Sequence, residues 1–141
     1  MTNMENNDMT IDLATESTDV MLDAFAASLG SGAMLRIFTG EAPVACADPD
    51  SGYELVVDAL PDDFWAPANG GAKVLSTTWG FTGLATDAPG YFRIYGGDYT
   101  CRMQGTVTQV GAGGDLQLVS ATIEENGPVT VVALTLTSAN L

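Results

Sequence analysis

The chain has 141 residues, long enough to bury a core in one domain, and its 46% apolar content excludes wholesale disorder. Eighteen acidic residues against four basic ones leave a net charge of −14, which argues against binding a phosphate backbone or an anionic membrane surface. There is no histidine, so the commonest general base and imidazole metal ligand are missing, and no apolar run approaches the roughly 20 residues of a membrane helix.

Residues 1–16 read as an extended, flexible acidic arm carrying Glu5, Asp8 and Asp12. They lack the basic and apolar regions of a signal peptide, so the expectation is folding in the cytosol. Residues 17–29 read as a helix. Ser17 or Thr18 can cap it, and Asp19 suits the positive end of its dipole. Met21, Leu22, Phe25 and Leu29 make one apolar stripe, and Gly30 and Gly32 supply the stop.

From residue 33 the pattern changes to strands, expected over 34–39, 53–60, 72–79, 91–95, 99–110, 115–120 and 129–137. Residues 80–85 continue the third strand after a bulge, and the strand over 99–110 kinks near Gly105. Turn-rich stretches separate them at 41–52, 61–71, 87–90, 96–98, 111–114 and 124–128. About eight short strands imply an all-β chain: an antiparallel β-sandwich, jelly roll or barrel with a short N-terminal helix and an acidic arm. The expected organisation is an arm over 1–16 and a single domain over 17–141, with the helix at 17–29 and the sandwich at 33–141.

Two segments nearly repeat. Leu35-Arg36-Ile37-Phe38-Thr39-Gly40 and Phe92-Arg93-Ile94-Tyr95-Gly96-Gly97 share an apolar-Arg-Ile-aromatic pattern and hold two of the four basic residues. The plainer reading of Arg36 and Arg93 is an ion pair within the domain at the sheet edge, worth roughly 0–1 kcal/mol if exposed. The sharper reading pairs them with carboxylates across a subunit contact, where they set register and specificity. Leu35, Ile37, Phe92 and Ile94 read as core.

Cys46 and Cys101 are the only cysteines. Two cysteines do not make a disulfide framework, and the expectation is a pair of reduced, partly buried thiols that pack as small hydrophobes. The stretch from Asp48 to Glu54 has the carboxylates of a calcium loop but fails its pattern, with Tyr53 where Gly belongs and Ala59 where Glu belongs. It reads as a turn, as do Asp62 and Asp63. Phe64, Trp65, Trp79 and Phe81 offer a sugar-binding platform in one reading and core or interface packing in the favoured one. The run 111–114 lacks the Lys-Ser/Thr ending of a phosphate loop and reads as a turn. No motif selects a catalytic pair among the eighteen acids, so no enzyme and no cofactor is expected.

From about residue 20 onward, the ordered pieces resemble a family of small virion structural proteins of tailed bacteriophages. They are the helix, Leu35-Arg36-Ile37-Phe38-Thr39-Gly40, a Pro-containing loop and strand, and Ala68-Asn69-Gly70-Gly71. Gly90-Tyr91-Phe92-Arg93-Ile94-Tyr95, Gly105-Thr106-Val107, Gly114-Asp115-Leu116-Gln117-Leu118 and a Thr-rich strand over 130–137 follow. The long acidic tail and the two cysteines depart from the family pattern. The resemblance implies a non-enzymatic protein that decorates and cements the capsid exterior after assembly in the host cytoplasm. Its partners would be the major capsid protein and itself, as a homotrimer, with no nucleic acid and no membrane. Interface residues would be Arg36, Phe38, Arg93, Tyr95, Phe64 and Trp65. The alternatives are a neck, tail or fibre-attachment component, or a carbohydrate-binding module that grips the host.

Overall fold

The computed structural model describes residues 11–140. Of the expected arm, residues 1–10 lie outside the described residues, 11–14 are exposed and irregular, and Thr15 and Glu16 already belong to the helix. That helix, α1 (Thr15–Ser28), starts without a side-chain cap, because the residue at its N-cap is Ala14. The amides of Ser17 and Thr18 both donate to the Ala14 carbonyl, and the Thr18 hydroxyl donates to Thr15 O, so neither residue caps as expected. Of the apolar stripe, Leu22 and Leu29 are buried and Phe25 packs on the core, but Met21 turns outward. Gly30 (φ 73°) and Gly32 (φ 84°) end the helix in the left-handed region that side chains disfavour.

Hydrogen bonds from its acidic face fasten α1 to the strand hairpin that follows residue 65. Asp19 Oδ1 accepts from the Gly71 amide at 2.8 Å. Asp23 Oδ1 accepts from the Ala68 amide at 2.9 Å and from Lys73 Nζ at 2.5 Å. Lys73 also donates to Ala66 O at 3.0 Å and is buried.

Eight strands follow: β1 (Met34–Phe38), β2 (Glu54–Ala59), β3 (Ala72–Val74), β4 (Trp79–Thr82), β5 (Tyr91–Tyr95), β6 (Cys101–Gln109), β7 (Leu116–Leu118) and β8 (Pro128–Thr137). They form one mixed sheet in the order β2-β1-β5-β6-β7-β8-β3, with β4 also paired to β8. The expected purely antiparallel arrangement is corrected at β6 and β7, which run parallel with Val107 opposite Leu116. Parallel neighbours ordinarily need a crossover of a dozen or more residues. Here residues 110–115 suffice because glycines double the chain back, with Gly111 and Gly113 at φ near 90°. Gly114 lies so close to β6 that a Cβ would strike the Thr108 side chain.

The sheet curls until β4 returns to β2. The Leu84 amide donates to Leu55 O at 2.9 Å, and the Thr82 amide reaches Asp58 Oδ2 at 3.4 Å. One contiguous cluster fills the interior, including Leu35, Ile37, Leu55, Phe64, Phe92, Ile94, Leu116, Val131 and Leu134. The expected strand over 72–79 divides in two. After Val74 the chain turns aside to bond the 61–71 loop, through a Trp65–Leu75 bridge and a Ser76 amide donating to Phe64 O. The expected kink at Gly105 is also corrected. Pairing of β5 with β6 runs unbroken through Gly105, where a Cβ would collide with the Phe92 ring, and shifts instead at Arg102.

The Lys73 ammonium, and after it the Ala68 amide, hold the Asp23 carboxyl below its ordinary value of 3.8. A carboxyl lowered on folding stabilises the fold fully above its unfolded value, and that contribution disappears as pH falls through the folded one. Urea unfolding midpoints measured from about pH 5 to about pH 2 should therefore drop for the native chain and drop less for Asp23→Asn.

Candidate functional site

The two near-repeats lie side by side. β1 and β5 pair antiparallel with Leu35 opposite Ile94, Arg36 opposite Arg93 and Ile37 opposite Phe92. Strand alternation sends Leu35, Ile37, Phe92 and Ile94 into the core. It sends Arg36, Phe38, Tyr91, Arg93 and Tyr95 to the other face. All of β5 is buried, so this second face is covered as well.

Its cover is the loop over 41–52. Arg93, 2% exposed, donates from Nε to Gln104 Oε1 at 3.0 Å, from Nη1 to Asp48 O at 2.9 Å and from Nη2 to Ala45 O at 3.3 Å. Gln104 Nε2 in turn donates to Pro43 O at 2.7 Å. The Tyr91 hydroxyl donates to Ser51 O and accepts from the Ser51 amide, while its ring stacks on Phe38 with centroids 4.8 Å apart. Gly90 passes so near Gly40 that a Cβ would overlap the Gly40 carbonyl. A disulfide joins Cys46 in the loop to Cys101 at the start of β6, correcting the expectation of reduced thiols. The loop fold supplies the physical reason: it brings the two Cα atoms to 5.6 Å, within bonding range, across 55 positions of sequence.

Arg36 follows the plainer reading. Its Nη1 donates to Glu54 Oε2 on β2 at 2.9 Å, and its Cζ sits 4.7 Å from the Tyr95 ring centroid. Its Nε is buried with no hydrogen-bond partner among the described residues. Arg93 follows neither reading, since among the described residues no carboxylate pairs with it and the groups that accept its hydrogen bonds are amide and carbonyl oxygens. Beside this face, Asp98 accepts from the Thr100 hydroxyl and amide and from Arg102, which together hold its carboxyl below the usual range.

The six expected interface residues do not share one outward surface. Phe38, Arg93 and Phe64 are fully enclosed by their own chain and Tyr95 is nearly so, which removes them from an exposed contact. Phe64 and Trp65 lie apart from the arginines, in an aromatic group with Trp79: Phe64 meets Trp65 edge-on at 5.2 Å and stacks with Trp79 at 5.9 Å. Both tryptophans pack against the core, and Trp79 Nε1 donates to Phe64 O. The rings therefore make no open sugar platform. Large apolar groups that do face outward near the loop are Val44, Tyr53 and Tyr99.

Sequence reasoning missed the roles of Gln104, Tyr91 and Lys73. One signal was present for Arg93: aromatic residues flank it at every second position, as on a strand buried on both faces.

No protein-family model, curated protein or solved structure matches the chain.

Arg93→Leu strands the oxygens of Ala45, Asp48 and Gln104, and should lower unfolding stability by about 3 kcal/mol. Amide hydrogen exchange should rise first over 43–51, with the disulfide still intact. Replacing both cysteines by serine frees a long loop in the unfolded chain and should cost about 4 kcal/mol in the same urea titration, with the strand order unchanged by NMR.

Proposed function

We propose that the chain is a non-enzymatic structural protein of a tailed bacteriophage that decorates and cements the capsid exterior. In this reading one domain, a sandwich- or jelly-roll-like body led by α1, assembles as a homotrimer and bridges neighbouring major capsid protein subunits. The action is mechanical. Binding energy from each copy adds to that of a lattice loaded by packed genome.

The observation that carries the reading is the stapled loop. A loop tied by a disulfide, a buried guanidinium and a tyrosine hydroxyl holds its shape, and pre-organised loops give up little entropy on docking. Val44 and Tyr99 stand exposed at its edge, and exposed aromatic and apolar groups are the usual anchors of a protein contact. Disulfides persist on particle surfaces outside the cell, which suits an exterior position. The ordered motifs from the helix to the Thr-rich strand support the family assignment, and the net charge of −14 suits an outer surface that repels other particles.

Cryo-EM of the virion tests this. The expected result is density for this chain repeated over the capsid lattice, with a stained virion gel showing hundreds of copies. Density confined to neck, tail or fibre, with a band of few or tens of copies, would overturn it.

A further inference from the structure

We propose that Arg36 and Arg93 form the floor of a binding site for a carboxylate-bearing ligand. Like charges directly opposite on paired strands are unfavourable, and Arg36 stands opposite Arg93. A guanidinium keeps its proton, so burial cannot neutralise Arg93. Its carbonyl partners offset the desolvation with partial charge and leave one whole positive charge without a counter-ion. Arg36 adds a buried, unpartnered Nε–H. Glu54 occupies its Nη1; the other edge, Nε and Nη2, is the fork that a carboxylate fills with two parallel hydrogen bonds, and a ligand reaches the enclosed Nε only by displacing the groups that cover it.

Arg36 lines a cleft of about 720 Å³ between loop residues 46–50 and the turn residues Tyr99 and Thr100, and the enclosed Arg93 lies at its base. That is room for a small organic ligand or a side chain with its neighbours. Tyr99 stands at the mouth, 73% exposed, and holds φ at 65°, a conformation bulky residues rarely keep. Asp48 and Asp50 also line the cleft. The Asp48 carboxylate accepts from the Ala45 amide at 3.0 Å, and among the described residues it forms no salt bridge with either arginine. The acidic chain repels anions at long range, so recognition rests on contact with the fork and on the exposed Tyr99 ring rather than on steering. The site stands apart from the capsid reading and holds or fails on the isolated protein.

The test follows the arginine Nε–H signals of the disulfide-bonded chain by NMR, at constant ionic strength. The probes are glutarate, a blocked peptide with a single glutamate, and chloride as the reference. Both carboxylates should move the Arg36 Nε–H signal saturably, and Arg36→Gln should weaken binding about tenfold, measured by calorimetry. Arg36→Lys, which keeps the charge without the fork, should also weaken it, and Arg102→Gln should leave it unchanged. Tighter binding of the peptide assigns the site to a protein carboxylate, and tighter binding of glutarate to a free one; either supports the proposal. Shifts that fail to saturate, that chloride reproduces, or that persist in Arg36→Gln would overturn it.

Discussion

Much of this structure follows from one buried guanidinium. Arg93 sits in the middle of a strand enclosed on both faces, and it cannot shed its charge. Something polar must meet each of its edges. The sheet offers Gln104 from the next strand, and the loop offers the carbonyls of Ala45 and Asp48. Once the loop supplies those carbonyls its path is set. Pro43 falls to Gln104, Ser51 to Tyr91, and Cys46 arrives beside Cys101. The same constraint protects strand register. A slip of one residue would turn Arg93 into the cluster that holds Ile37 and Phe92.

The four cations divide into two kinds. Arg93 and Lys73 are buried, and each fastens something that is not sheet: Arg93 the loop over 41–52, Lys73 the helix α1 through Asp23. Arg36 and Arg102 are partly open and pair with Glu54 and Asp98. Surface pairs of that kind are worth about 0–1 kcal/mol. In a chain so poor in positive charge, half of the supply is thus spent inside, where a lost partner is far more damaging than at the surface.

Legibility tracked the range of the forces involved. Strands β1, β5 and β8 stood out because their alternation and turn residues are local, and Gly30 and Gly32 marked the helix end for the same reason. Three features depend on partners far off in sequence and were not legible. The parallel pairing of β6 and β7 has no local mark, since a glycine run reads the same before either direction. The disulfide joins residues 55 positions apart that only the folded loop brings together. The capping role expected of Ser17 and Thr18 did not arise because the helix begins earlier, at Thr15 behind Ala14, and their amides already bond within its first turn. At the site, Arg36 formed the ion pair within the domain that was expected of it, though from the middle of β1, one strand in from the sheet edge. Arg93 looked alike in sequence and differs only because the loop closes over it.

The near-repeat therefore joins two residues of the same type in opposite conditions. Antiparallel pairing places them opposite each other, so the local field of one strengthens that of the other. One is locked by carbonyls and contributes charge without mobility. The other keeps one enclosed donor, Nε, without a partner among the described residues, beside an aromatic ring. The surrounding carboxylates outnumber cations by eighteen to four, and of those four, Lys73 and Arg102 are each matched by an aspartate. Glu54 likewise matches Arg36, so among the described residues the one cation without a carboxylate partner is Arg93, buried beside the Arg36 edge. The second face of the β1–β5 pair is thus one of two places, with Trp65 Nε1 beside Phe64 the other, where a buried donor has no partner among the described residues, and it alone sets that donor beside a buried, permanent charge.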